Sequence, residues 1–243
     1  MRFLLYNIRY GTGSEWHFHL PFPFSGYLRS THKKFSHLID FVESVNPDIL
    51  GLLEVDSGSV RFQKECQANT LARQLQHFCV YQSKYARKSI WQKLPLTNKQ
   101  GNAILTNRTI HNKKIHYFRK GIKRMMIELE IEQVVIFLVH LSIKYKHRHH
   151  QLDELRKQLQ SISKPIIVAG DFNVLRGDHE MEDFLDKTKL INANHSGLPS
   201  FPSRRPFREI DFILHSPDIK VSHFSMPEVA FSDHRPLICD FEI

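Results

Sequence analysis

The feature that most constrains this chain is a pattern that recurs along it: a short apolar run stops and polar, chemically active residues follow at once. It occurs at Leu4-Leu5-Tyr6-Asn7, Leu52-Leu53-Glu54-Val55-Asp56, Val139-His140-Leu141-Ser142, Ala169-Gly170-Asp171-Phe172-Asn173 and Ser232-Asp233-His234-Arg235-Pro236. A further segment, Glu209-Ile210-Asp211-Phe212, sets a carboxylate among apolar neighbours. Apolar runs this short suit strands covered by other layers. Where such strands end on one edge of a sheet, side chains from distant parts of a sequence converge. The pattern therefore predicts sheets whose ends share one site.

Strands are expected at Phe3–Ile8, Ile49–Leu53, Ala103–Leu105, Val134–Val139, Ile166–Ala169, Ile210–Leu214 and Leu237–Phe241. Met125–Ile131 alternates, with Ile127, Leu129 and Ile131 opposite Glu128 and Glu130, as a half-buried antiparallel strand would. Val134–Val139 is apolar throughout and is expected to be covered on both faces. Phe35, Leu38, Ile39, Val42 and Val45 fall on one helical face, and so do Leu152, Leu155, Leu159 and Ile162. Mixed strands and helices with polar strand ends imply an α/β fold of two sheets packed face to face and flanked by helices. At 243 residues, with no Gly/Ser linker and no internal repeat, residues 1–243 are expected to form a single domain.

Composition excludes some classes and leaves others. With 41% hydrophobic and 24% charged residues the chain reads as an ordinary globular protein. No run of about 18 apolar residues offers a transmembrane segment. Met1-Arg2 leads straight into a strand pattern too short for a secretory signal. Three cysteines, odd in number and not in metal-ligand spacing, fit a reducing cytoplasmic setting.

The net charge of +9 is not uniform. From Cys66 to Ile127 there is no Asp or Glu, while the same stretch carries thirteen Lys and Arg, among them Lys84, Lys113, Lys123 and Arg124. The rest of the chain holds slightly more acidic than basic residues. Such a block attracts polyanions, whether nucleic acid or an anionic lipid surface; a merely solubilising face is the plainer alternative.

The polar strand ends supply a definite chemistry. Asp, Glu and Asn are hard oxygen ligands that suit Mg²⁺ or Mn²⁺. Histidines beside them can move protons or stabilise charge near neutral pH. Asp171 and Asn173, two apart, share one face if the strand continues through them.

Taken in their order, these motifs resemble those of the endonuclease/exonuclease/phosphatase superfamily, which includes DNase I-like nucleases, exonuclease III-like abasic-site endonucleases, neutral sphingomyelinases and inositol polyphosphate 5-phosphatases. The resemblance runs from Asn7 to Pro236. It implies a four-layer α/β sandwich with two central mixed β-sheets, and a Mg²⁺-dependent phosphoric ester hydrolase, with Mn²⁺ as a substitute.

By motif position, Asn7, Glu54 and Asp233 would form the metal site, with Glu54 the direct ligand. Asp171 would orient or deprotonate the attacking water, and Asn173 would bind a phosphate oxygen. His234 would sit on the scissile phosphate, oriented by Asp211. His140 matches the second catalytic histidine of DNase I-like members, where abasic-site enzymes have tyrosine. Asn102 and Arg124 fall where members orient that histidine or contact phosphate, and Arg124 is expected nearest the chemistry.

The leading expectation is a monomeric nuclease or phosphodiesterase acting on nucleic acid. The alternative is a phosphoesterase for phospholipid or inositol-phosphate head groups. A silent polyanion-binding scaffold would be expected to lack the metal Glu or the terminal Asp-His pair, and both are present. Three features stand apart. Val55-Asp56-Ser57 departs from the Thr/Lys pattern of abasic-site enzymes, and Asp56 reads as leading into a helix, with a role near the metal as the alternative. The aromatic Gly11–Thr31 segment has no counterpart in the resemblance. His147-Arg148-His149-His150 reads as the start of a solvated helix.

Overall fold

The apolar runs become the inner strands of two six-stranded sheets. The computed structural model describes residues 1–13, 32–59, 62, 65–84, 99–121, 123–177 and 179–243. Across the first sheet lie β11 (Lys220–Ser225), β12 (Leu237–Glu242), β1 (Arg2–Asn7), β2 (Ile49–Asp56), β4 (Gln100–Thr106) and β3 (Phe78–Ser83). Across the second lie β5 (Ile110–Tyr117), β6 (Met125–Ile131), β7 (Val134–His140), β8 (Ile166–Asp171), β10 (Asp211–His215) and β9 (Ile191–Asn192). Each sheet is mixed, with one parallel pair: β1 with β2, and β7 with β8.

Alternation along the strands builds three apolar layers. Phe3, Leu5, Ile49, Leu53, Ile104, Leu138, Ala169 and Ile213 meet between the sheets. Leu4, Tyr6, Leu50 and Leu52 face α1 (His32–Val45) and α2 (Gln67–Leu75). Val135, Phe137, Val139 and Val168 face α3 (Tyr145–Leu159) and α4 (His179–Thr188). The result is the four-layer sandwich expected. β7 is buried at all seven positions, as its unbroken apolar run predicts. Each such side chain removed from water stabilises the fold by roughly 1.5–3 kcal/mol.

Some expectations are corrected. The alternating strand β6 is buried more fully than its pattern suggests, because Glu128 is covered and paired with Lys114 (2.9 Å) and His116 (2.6 Å) on β5. The helical pattern ending at Ile162 stops at Leu159, and Ile162 packs from the turn beyond. Arg148, in the run read as solvated, is buried and ion-paired with Glu180. Asp56 does not lead into a helix: it organises a turn by accepting from Gly58 N (3.0 Å) and Ser59 N (2.8 Å). From residue 14 onward the aromatic Gly11–Thr31 segment lies outside the described residues.

Candidate active site

The polar ends of the strands cap one end of the inter-sheet core. Register sets the first row: His140 lies beside Asp171 on the parallel pair β7/β8, and Asp171 beside Asp211 on the antiparallel pair β8/β10. All three continue the parity of residues that face the other sheet, namely Leu138, Ala169 and Ile213. Asn7 does the same from β1, following Phe3 and Leu5.

Glu54 reaches this space by a different device. The β2/β4 pairing shifts between Leu52 and Val55, which marks a bulge there. Glu54 carries the left-handed φ of 54° inside that bulge. Leu52 and Val55 both face the helix layer, so the bulge turns Leu53 and Glu54 together toward the inner side. Asn102, on β4, accepts from the Glu54 backbone N–H (3.3 Å) and holds the distortion. Arg9, Tyr10 and Asn173, at the same end of the molecule, also have positive φ. Backbone strain of this kind costs of order 1–3 kcal/mol per residue and persists where the surroundings enforce it.

His234 comes from a loop rather than a strand. Its segment is stitched to the 200–203 loop by Ser203 N to Asp233 O (2.8 Å), Arg235 N to Ser200 O (2.8 Å) and Ser203 Oγ to Ser232 O (2.6 Å). Asp211 Oδ2 lies 2.7 Å from His234 Nδ1 and accepts from Ser200 Oγ, also at 2.7 Å. The other ring nitrogen, Nε2, lies 3.4 Å from Asn7 Nδ2, and that amide donates to Asp171 Oδ2 (3.3 Å). Asp171 Oδ2 in turn lies 3.1 Å from His140 Nε2.

Burial and charge set the proton states. Burial opposes ionisation of Glu54, but Lys123, with Nζ 3.5 Å from Oε1, His140 and Lys84 outweigh it and bring its pKa down to about 2. Asp171 is also held well below the usual carboxylate range, its burial overcome by the neighbouring histidines. The two histidines are driven apart. Burial, reinforced by Lys123, pushes His140 down to about 4, whereas Asp211 overcomes burial and pushes His234 up to about 10. At neutral pH one imidazole is neutral and the other is an imidazolium. Environments that separate two like groups in this way distinguish proton acceptor from proton donor.

The structure brings most of the expected residues together. Asn7, Glu54, Asn102, His140, Asp171, Asp211 and His234 are joined in one network. Asn173 is beside it, but not by strand alternation: β8 ends at Asp171, and the Asn173 N–H turns back to Asp171 Oδ1 (2.9 Å). One of its side-chain N–H groups is used on Leu141 O (3.0 Å). Asp233 faces Arg9 NH1 (3.4 Å) instead of Glu54. Arg124 makes no side-chain hydrogen bond or ion pair among the described residues.

Its neighbour Lys123 enters the site, touching His140 Nε2 as well as Glu54. Lys123 shares parity with Met125, which packs between the sheets, whereas Arg124 shares parity with Met126, which faces the helix layer. Lys84, pushed down to about 8 by burial and by Lys123, is the second lysine near Glu54. Arg9, Lys84, Lys123 and Ser200 are the residues that motif reading missed. For Lys84 and Lys123, membership of the acid-free block was the available signal.

Among the described residues, the closest gathering of possible metal-binding groups is Asp171, Asp211 and His234, with ligand atoms within 4.8 Å of one another. Asp211 Oδ2 and His234 Nδ1 already satisfy each other. Asp211 Oδ1, however, is buried with no hydrogen-bond partner among the described residues, so Asp211 as well as Asp171 and Glu54 has a carboxylate oxygen able to face an ion, with the amide oxygen of Asn7 nearby. Ionised carboxylates and amide oxygens fit a hard divalent cation.

The class of protein follows from the family match rather than from the four-layer sandwich alone. The sequence matches the Endonuclease/Exonuclease/phosphatase family over residues 4–234, and the chain belongs to that family. No curated protein matches it. Solved structures similar in fold include an endonuclease/exonuclease/phosphatase family protein from Leptotrichia buccalis (14% identity, 100% of both chains, TM-score 0.72). The human Nocturnin catalytic domain with bound sulfate anion is another (21% identity, 100% of this chain and 94% of that one, TM-score 0.69). A third is a mannosyl-6-phosphatase from Bacteroides thetaiotaomicron (15% identity, 100% of both chains, TM-score 0.69).

Proposed function

We propose that this chain hydrolyses phosphodiester bonds of nucleic acid with the help of a divalent cation, Mg²⁺ in the first instance. The observation that carries the reading is the convergence of Glu54, His140, Asp171, Asp211 and His234 from both sheets on one space, with His140 Nε2 3.1 Å from Asp171 Oδ2 and His234 Nδ1 2.7 Å from Asp211 Oδ2.

Glu54 and Asn7 would hold the cation, with Asp233 contributing from the far side; when bound, it would neutralise charge on the phosphate oxygens. Asp171 accepts a hydrogen bond from the attacking water and orients it. His234, kept protonated by Asp211, donates to a non-bridging phosphate oxygen and stabilises the charge that grows there. Asn173 offers its remaining side-chain N–H to the phosphate. His140, neutral and beside Asp171, takes or relays a proton. Asn102 keeps Glu54 in its bulge, and Arg124 meets the substrate outside the network. Each sheet supplies part of this set, so residues 1–243 act as one domain.

Nucleic acid is preferred as substrate because two cations of the acid-free block, Lys84 and Lys123, reach the cluster. The solved structures similar in fold include one named a mannosyl-6-phosphatase, so the assay must separate substrate classes. Labelled single- and double-stranded DNA, RNA, a phospholipid and an inositol phosphate are each incubated with Mg²⁺ and with EDTA. Nucleic acid is cleaved, EDTA stops the reaction, and Glu54→Gln nearly abolishes it with circular dichroism unchanged. Full activity of Glu54→Gln in excess EDTA would refute the site; cleavage of head groups alone would refute the substrate.

A further inference from the structure

We propose that Gln151 is a positioning residue: it holds the turn that carries Lys123, and so places the Lys123 ammonium where it binds the reacting phosphate. The proposal rests on the reading of the buried cluster as a phosphate site.

Gln151 is fully buried on α3, and its amide is committed at both ends. Oε1 accepts from Ser142 N (2.8 Å), in the loop that directly follows His140. Nε2 donates to two carbonyls of the 118–124 turn, Lys120 O (2.9 Å) and Lys123 O (2.7 Å). One side chain thus ties the strand end bearing His140 to the backbone of the lysine that touches it. Breaking these three hydrogen bonds, one buried and two partly buried, is costly, so the turn and the loop cannot separate freely.

The surroundings stiffen this clamp from both sides. Arg148, one helical turn earlier, is buried, donates to Ser142 O (3.0 Å) and Ile143 O (2.8 Å), and pairs with Glu180. On the other side, Arg119 N donates to Glu154 Oε2 (3.1 Å). The turn is also pressed close. Gly121 has φ 104°, and a Cβ there would lie 2.6 Å from Gln151 Nε2 and closer still to Ser142 Oγ. The positive φ favours glycine there, and any side chain would also push on Gln151 and Ser142.

A lysine on an exposed turn samples many rotamers, and ordering it has an entropic cost. Fixing its backbone carbonyl removes part of that cost before substrate arrives. The clamp sets the Lys123 amine 3.5 Å from Glu54 and against His140, so the cation faces the space between the metal-binding carboxylate and the histidines. Preorganised cations aimed at one phosphate are the usual source of charge stabilisation in such sites.

The test is a double-mutant cycle on the full chain, read in two ways. Inorganic phosphate binding is measured by calorimetry, and hydrolysis of bis(4-nitrophenyl) phosphate with Mg²⁺ gives kcat/KM. Lys123→Met weakens phosphate binding about tenfold. Gln151→Met does nearly the same alone, but changes binding less than twofold when Lys123 is already Met. Gly121→Ala disturbs the clamp from the opposite side and repeats that dependence should Gln151→Met fold poorly. Equal losses in both backgrounds would mean that Gln151 supports the fold generally, and would overturn the proposal. So would phosphate binding unaffected by Lys123→Met. Phosphate binding that follows the cycle in a protein that hydrolyses no phosphate ester would instead refute the proposed function and leave the clamp standing.

Discussion

Gly170 stands where the two parallel strands of the second sheet come closest to the site, and Gly170→Ala is expected to damage both stability and rate. Its φ is 153°, and an added Cβ would lie 2.8 Å from the carbonyl carbon of Val139 and closer still to the oxygen. Comfortable contact between such atoms needs roughly 3.5 Å, so β7 and β8 must part by about 1 Å at this level. Overpacking of this kind costs roughly 1–3 kcal/mol, and holding a non-glycine residue at such a φ costs of order 1–3 kcal/mol more. A total near 4 kcal/mol lowers Tm by about 8–16 °C in a chain of this length.

The displaced pair is Val139 and Gly170, and the next pair along is His140 and Asp171. A misplacement of about 1 Å at reacting groups costs on the order of 10²-fold in rate. Thermal unfolding by circular dichroism gives the first quantity, and kcat/KM measured well below the variant's Tm gives the second. A Gly170→Ala protein with Tm within about 2 °C and kcat/KM within about twofold of wild type would refute the argument from close approach.

Further outcomes follow from other contacts. Asp211→Asn keeps the shape behind His234 but removes its charge, so kcat should fall by about 10²-fold or more with the fold intact; a loss under about threefold would show that His234 needs no carboxylate. Asp48 accepts from Arg2 N (2.7 Å) and from Arg108, and these partners overcome its burial and hold its carboxyl below the usual range. Its stabilising effect is therefore complete above a pH of about 3.9 and fades as pH falls through the lower folded value. Asp48→Asn should cost about 1 kcal/mol at pH 7, with the gap to wild type closing in acid; urea unfolding at several pH values would expose a constant gap. If the substrate is nucleic acid, log Kd should vary steeply with log salt, and Lys113→Ala plus Arg124→Ala should each reduce the slope by up to about one unit. A slope near zero on duplex and single strands would count against a nucleic-acid substrate.

What the sequence determined by itself was the part of the fold that burial writes into composition. All eight strands expected from apolar runs or alternation are present, and each has a paired strand on both sides. The four strands that were not legible, β3, β5, β9 and β11, are the four sheet edges. Edge strands are half solvated: β5 reads Ile-His-Asn-Lys-Lys-Ile-His-Tyr and β11 Lys-Val-Ser-His-Phe-Ser, with no apolar run to reveal them. Their pairing is decided by the neighbour they complete.

The candidate site divides in the same way. Asn7, His140, Asp171 and Asp211 could be read because strand parity carries each of them inward with the core residues that precede it. Glu54 has the wrong parity, and only the bulge opposite Asn102 turns it inward. Asn173 reaches the cluster by a turn back to Asp171 beyond the end of its strand. Lys123 and Arg124 are adjacent and chemically similar, and one-dimensional reading cannot rank them. The tertiary structure does so, through the packing of Met125 between the sheets and the buried amide of Gln151 that fixes the turn.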